Sequence, residues 1–161
     1  MENIFREHKI KPFKKSDTIR VFNKIIINGF TFIDNCIYIK SLWDKNAKKT
    51  IKFLYDETDR ECWVNSVHIE DWYRGDLLSA ACSLTSYILD DLKLKYKNKL
   101  FSCVISIDTK KRATWKLYMI RKDIDWLSSN LEAYDQPVLQ FFSDDYFVWD
   151  ERKSLPASWH L

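Results

Sequence analysis

The histidines and cysteines of this chain are the first candidates for metal binding or catalysis. His68 and Glu70 have the H-x-E spacing with which zinc deaminases bind their metal and transfer protons. The second half of that signature, P-C-x-x-C, is missing, because successive cysteines stand twenty or more residues apart. Zinc sites draw their ligands from closely spaced pairs, so the sequence predicts no metal site.

The four cysteines are better explained as part of the core. Cys36, Cys82 and Cys103 lie in the apolar stretches CIYI, AACSL and FSCVI, and Cys62 has no cysteine or histidine within reach of a local pair. Free cysteines in such surroundings are usually buried. We predict buried thiols, with no disulfide, metal or cofactor.

The histidines are also the candidates for general acid and base. His8, His68 and His160 could in principle cleave RNA without a metal, but two of them lie near the chain ends, where a catalytic geometry is hardest to hold. No nucleophile motif is present, and two glycines leave little room for a phosphate-binding loop. Surface histidines are therefore the favoured interpretation, and we expect no enzymatic activity.

Acidic and aromatic residues alternate in the C-terminal part of the chain. The segment 123–151 contains eight acidic residues and no lysine or arginine. Aromatic side chains supply buried contact area in protein interfaces, and carboxylates around them attract a basic partner. The sequence predicts a partner-binding surface formed by Asp144, Asp145, Tyr146, Trp149, Asp150, Glu151, Trp126, Tyr134 and Asp135.

A second acidic run, over residues 56–76, is also interrupted by aromatic rings, among them Trp63. Its densest part gives a second candidate surface, which consists of Glu70, Asp71, Trp72 and Tyr73.

Lysines cluster separately, near the start of the chain, at 45–52, at 93–99 and at 110–112. Such clusters can bind phosphate, so the alternative function is a nucleic-acid-binding protein or nuclease that uses this lysine-rich face. A net charge of +3 and a pI near 8.6 fall short of the basic balance of a dedicated nucleic-acid binder. Nucleic acid is therefore the less favoured partner.

The elements that would position these residues follow from periodicity. Leu77, Leu84 and Ile88 recur at helical spacing and predict one long helix at about 71–96. Alternation predicts an antiparallel hairpin of FSCVISID and TWKLYMI, with a further strand at VLQFF and a shorter helix at about 123–134. Upstream, VFNKIIINGFTFIDNCIYIKSLW predicts short strands with a turn at Asn28-Gly29, and 48–56 predicts another strand.

These elements define an α+β fold, with a mainly antiparallel sheet and both helices packed on it. We expect one domain over residues 1–161, with residues 1–15 as a partly mobile lead segment. No apolar run reaches the roughly 20 residues of a membrane span, and the start lacks the apolar core of a signal peptide, so we expect a cytoplasmic protein.

The stretches DDYFVWDE and HIEDWYRGD, in a small glycine-poor α+β chain, resemble bacterial toxin-immunity proteins, including those of contact-dependent growth-inhibition systems. The resemblance implies a non-enzymatic inhibitor that binds a cognate toxin domain with a basic surface, often a nuclease, and occludes its active site. Many inhibitors of nucleases are acidic overall, whereas this chain is slightly basic. The acidic surface is therefore expected to be local.

Overall fold

Two antiparallel sheets and four helices make up the part of the chain that the computed structural model describes, which is residues 13–46, 56–108, 110, 112–122, 124 and 126–144. Together they form an α+β domain, as the sequence predicts. In chain order the elements are α1 (Lys15–Ile26), β1 (Phe30–Ile33), β2 (Cys36–Ile39), α2 (Lys40–Asn46), α3 (Glu57–Val64), β3 (Val67–His68), α4 (Leu77–Lys95), β4 (Phe101–Ile107), β5 (Ala113–Met119) and β6 (Val138–Phe142), with single 3₁₀ turns at Ile69–Asp71 and Leu131–Ala133.

The larger sheet has the strand order β3-β5-β4-β6, and each of its strand pairs is antiparallel. The predicted hairpin is confirmed, with Phe101 opposite Met119 and Ile107 opposite Ala113. Alternate residues of β4 and β5 face the same side of the sheet, and this side packs on α4 to form the main core.

Helix α4 confirms the predicted long helix and its packing on the sheet, but it begins later than predicted. Leu84, Ile88 and Leu92 are buried against the sheet. The helix begins at Leu77 because the Asp76 carboxylate accepts the backbone N–H groups of Leu78 and Ser79, both at 3.1 Å. The predicted start at residue 71 was wrong, since that residue ends a separate 3₁₀ turn.

The N-terminal strands of the prediction were partly wrong. The first part of the predicted strand region, residues 21–26, belongs to α1, which buries Phe22 and Ile25 at helical spacing. Gly29, at φ +63°, stands just past the helix end, and its N–H bonds to Ile26 O at 3.0 Å. Asn28-Gly29 is therefore the helix exit, and the hairpin turn lies at 34–35, where both residues also have positive φ.

The shorter helix predicted at 123–134 is not formed by the residues that the structure describes there. An isolated bridge joins Arg121 to Ile124, and one 3₁₀ turn follows at Leu131–Ala133. Between them the Ser128 hydroxyl accepts the N–H of Asn130 at 3.2 Å. Such local side-chain bonds compete with a regular helix.

Other expectations fall on residues outside the described ranges. These are the lead segment up to residue 12 and most of the strand at 48–56, of which Asp56 is the N-cap of α3. Across the described residues, no helix has the length and apolar content that crossing a membrane requires.

A buried glutamate of α3 connects the two sheets. The Glu61 side chain is fully buried and accepts the N–H groups of Ile37 in β2, at 2.7 Å, and Met119 in β5, at 2.9 Å. Arg121 binds both of its carboxylate oxygens at 2.8 Å. Burial disfavours the charged guanidinium, but these hydrogen bonds outweigh it and raise the pKa of Arg121.

Asn65 repeats this connection four residues further on. Its Oδ1 accepts the N–H of Ile39 at 2.9 Å, and its Nδ2 donates to Ile37 O at 2.9 Å and to Leu117 O at 3.1 Å. Helix α3 thus closes the outer edge of β2 and fixes the small hairpin against the large sheet. Two other residues of the same helix, Asp59 and Trp63, contact the clefts described below.

Candidate partner-binding surface

The first cleft, the sheet cleft, lies on the side of the large sheet that faces away from α4 and has a volume of about 330 Å³. It brings together Trp126, Tyr134 and Asp135 of the predicted C-terminal surface. Its lining consists of Val104, Ser106, Lys116, Trp126, Leu127, Tyr134, Asp135, Gln136 and Val138.

Trp126 forms a fixed wall of the sheet cleft. Its Nε1–H donates to Asp59 Oδ1 at 3.1 Å, and its ring centroid lies 5.5 Å from that of Tyr118. The Lys116 ammonium lies 5.1 Å from the centroid of the same ring. These contacts hold the half-buried indole in place, so it can meet a partner with little loss of side-chain entropy.

Tyr134 and Asp135 form the rim of the sheet cleft. The Tyr134 hydroxyl accepts the N–H of Ser128 at 2.9 Å, which fixes the ring over the loop. Asp135 is exposed beside it. The cleft therefore offers apolar walls with a carboxylate at the entrance, and Lys116 is the one cation among the described residues that line it.

The rest of the predicted C-terminal surface is placed differently. Asp144 is exposed and follows β6, whose opposite end, at Val138, lines the cleft. The strand between Val138 and Phe142 spans about 13 Å, so Asp144 lies away from the other three residues. Asp145, Tyr146, Trp149, Asp150 and Glu151 lie outside the described residues.

The second cleft, the tryptophan cleft, also measures about 330 Å³ and contains part of the second candidate surface. Asp71 and Trp72 lie here with Trp63, which remains 54% exposed. The described residues that line it are Leu42, Lys45, Asn46, Trp63, Ser66, Val67, His68, Asp71 and Trp72.

Glu70 and Tyr73 do not line the tryptophan cleft. Glu70 accepts the N–H of Ala113 at 3.3 Å and lies 3.6 Å from His68 Nδ1. Tyr73 packs edge-on against Phe13, with ring centroids 4.9 Å apart. Within the described ranges, no three histidine, cysteine or acidic residues gather as a metal site would require.

Helix α3 joins the two clefts. Asp59 holds Trp126 of the sheet cleft, and Trp63, one turn further along the helix, lines the tryptophan cleft. The two clefts therefore both border α3, about one helical turn apart. Asp59, Trp63 and Lys116 were not among the site residues predicted from the sequence. The four-residue spacing of Asp59 and Trp63, in an acidic segment, could have indicated that they share one face of a helix.

The cysteines contribute no nucleophile to either cleft. All four are free and buried, as predicted. Burial raises the pKa of each thiol, and Cys82 and Cys103 lie within the main core. They are packing residues.

A third concavity, of about 220 Å³, lies between α1 and α4. Lys14, Lys15, Asp90 and Asp91 line it, and burial raises the pKa of Asp90. The described charges of this concavity balance, as Lys116 and Asp135 do in the sheet cleft and Lys45 and Asp71 do in the tryptophan cleft. It differs from those clefts because no tryptophan is among its described lining residues.

Fold and surface together define an α+β domain that carries two aromatic clefts with acidic groups around them. The chain belongs to the uncharacterized protein PM0498 family, whose model matches residues 1–154. No curated protein and no solved structure matches it.

Proposed function

We propose that this protein is a non-enzymatic protein-binding inhibitor, and most specifically an immunity protein that neutralises a cognate bacterial toxin domain in the cytoplasm. The observation that supports this best is that α3 contacts both clefts, through Asp59 and Trp63. Trp63 belongs to α3, and Trp126 bonds to Asp59 one turn earlier on the same helix, while Asp71 and Asp135 line the two clefts. Rigid aromatic anchors among carboxylates are the features of an interface for a basic partner.

The proposed mechanism is occlusion of the toxin's active site. A nuclease toxin holds phosphate with lysines and arginines, and the exposed carboxylates of Asp71 and Asp135 would pair with those groups instead of phosphate. The clefts would receive apolar or long side chains of the toxin against the two tryptophans. Loss of one central anchor or charge pair in such an interface costs about 2–5 kcal/mol of binding free energy.

A binding and protection assay tests this proposal. The C-terminal domain encoded by the neighbouring open reading frame is produced in growing cells with and without this protein, and binding of the purified pair is titrated. We expect the protein to restore growth and to bind the toxin domain. Trp63→Ala and Asp135→Lys should each weaken binding by about thirtyfold or more.

Asp17→Lys provides the matched control, because Asp17 is a half-exposed acid on α1 that is not among the described residues lining either cleft. It makes the same charge change and should leave binding unaltered. If Trp63→Ala and Asp135→Lys, both shown to be folded, bind and protect like the parent protein, α3 and its clefts are not the interface.

A further inference from the structure

One edge of the small hairpin is closed by α3, and the described residues form no pairing along the other edge. Ile37 and Ile39 of β2 direct their N–H groups outward, to Glu61 and Asn65, and therefore away from β1. Their partners across the hairpin are Phe32 and Phe30. In an antiparallel pair, residues opposite such positions also direct their backbone groups outward, on the other side.

The outward groups of β1 have no such closure within the part of the chain that the structure describes. Among the backbone hydrogen bonds that the described residues make outside regular helices and strand pairs, none uses the N–H or C=O of Phe30 or Phe32. The two residues alternate along the strand, so their groups repeat every ~6.6 Å, which is the repeat of an added β-strand. Backbone groups of this kind bind extended peptides by strand addition.

Lysines stand beside this edge. Lys95 Nζ lies 5.9 Å from the ring centroid of Phe30, and Lys99 Nζ lies 5.3 Å from that of Phe32. Lys97 is exposed between them in the chain. Asp91 pairs with Lys95 at 2.7 Å. Lys97 and Lys99 add two further positive charges, so the charge around the strand is net positive.

We propose that β1 binds an extended acidic segment of a partner protein by strand addition, with Lys95 and Lys99 pairing with its carboxylates. A second copy of this chain is a poorer occupant, because two β1 edges would bring like lysines together. Single-stranded nucleic acid is also poorer, since Tyr96 packs on Phe32 with centroids 5.0 Å apart and the lysines cover both rings. This surface is distinct from the α3 clefts and requires a partner of opposite charge.

A labelled peptide with alternating glutamate and valine is the probe, and the same peptide with lysine for glutamate is its control. We expect the glutamate peptide alone to bind and to slow amide hydrogen exchange at Phe30 and Phe32, which should be fast in the free protein. Lys95→Glu with Lys99→Glu should weaken binding by about tenfold or more, while Lys110→Glu should not.

The backbone contribution is isolated by comparing Phe32→Ala with Phe32→Pro. Both lose the ring, but only proline removes the outward N–H, and an edge strand tolerates proline at such a position. The proline variant should bind the peptide about fivefold to tenfold more weakly than the alanine variant. Equal binding by the two folded variants would overturn the proposal.

Three further results would also overturn it. They are slow exchange at Phe30 and Phe32 in the free protein, equal binding of the lysine peptide, and tighter binding of single-stranded RNA that Phe32→Pro does not weaken. The last result would assign the lysines to nucleic acid.

Discussion

At the scale of residues, Glu61 performs the most demanding role in the fold. It is a buried charge that satisfies Arg121 and two backbone N–H groups on different sheets. Buried ion pairs need not be more stable than apolar replacements, but removing one partner leaves the other charge without compensation. The sequence shows Glu61 only as one acid in a run of acids, and its burial depends on the distant strands β2 and β5.

We therefore predict that Glu61→Gln lowers the free energy of unfolding by about 3–5 kcal/mol. Glu57→Gln is the control on the same helix: its side chain is partly exposed and 3.7 Å from Arg60, so it should cost less than about 1 kcal/mol. Urea denaturation followed by circular dichroism measures both. Similar small losses for the two variants would show that the Glu61–Arg121 pair does not hold the sheets together.

At the scale of elements, α4 permits a test of packing within one helix. Leu84 is fully buried, whereas Leu94 is 74% exposed. Leu84→Ala should cost about 2–5 kcal/mol, because it removes buried apolar volume and leaves a cavity. Leu94→Ala should change stability by less than about 0.5 kcal/mol. A loss below this value for Leu84→Ala would contradict its position in the core.

The elements that the sequence predicted correctly are those whose apolar residues recur with the period of a helix or a strand. Helix α4 and the β4–β5 hairpin carry apolar residues at regular helical or alternating spacing, and this spacing identified them although β4 is buried on both faces. The stretch VFNKIII has strand-forming residues, yet packing of Phe22 and Ile25 against the core selects a helix. The clefts combine residues far apart in the chain, such as Lys116, Trp126 and Asp59, and no local pattern contains that information.

At the scale of the whole molecule, opposite charges occupy different sides of the small hairpin. Helix α3 and its acids meet the outer edge of β2, and the lysines of α4 and the loop after it lie by β1. Because the charges are separated in this way, a chain with a net charge of +3 still carries a local group of acids on α3. The two proposed surfaces should act independently, so Lys95→Glu should leave toxin binding unaltered and Trp63→Ala should leave peptide binding unaltered.

The buried thiols give the whole molecule a predictable response to alkaline pH. Burial raises the pKa of all four cysteines in the folded state, while thiols of the unfolded chain ionise near pH ~8.5. The unfolded state therefore releases protons first. The stability due to these thiols is complete below the unfolded pKa and is lost as pH rises toward the folded pKa, by about 1.4 kcal/mol per pH unit for each thiol.

Urea denaturation at a series of pH values from about 7.5 to 9.5 should show this decline. Cys82→Ala isolates one thiol, since Cys82 is fully buried in the main core. The variant has a lower free energy of unfolding at neutral pH, because a small cavity replaces the sulfur. The free energy of unfolding of the variant should nevertheless fall less steeply with rising pH than that of the parent, by the contribution of one thiol. A parallel decline in the two proteins would mean that Cys82 ionises equally in both states and is not enclosed by the core.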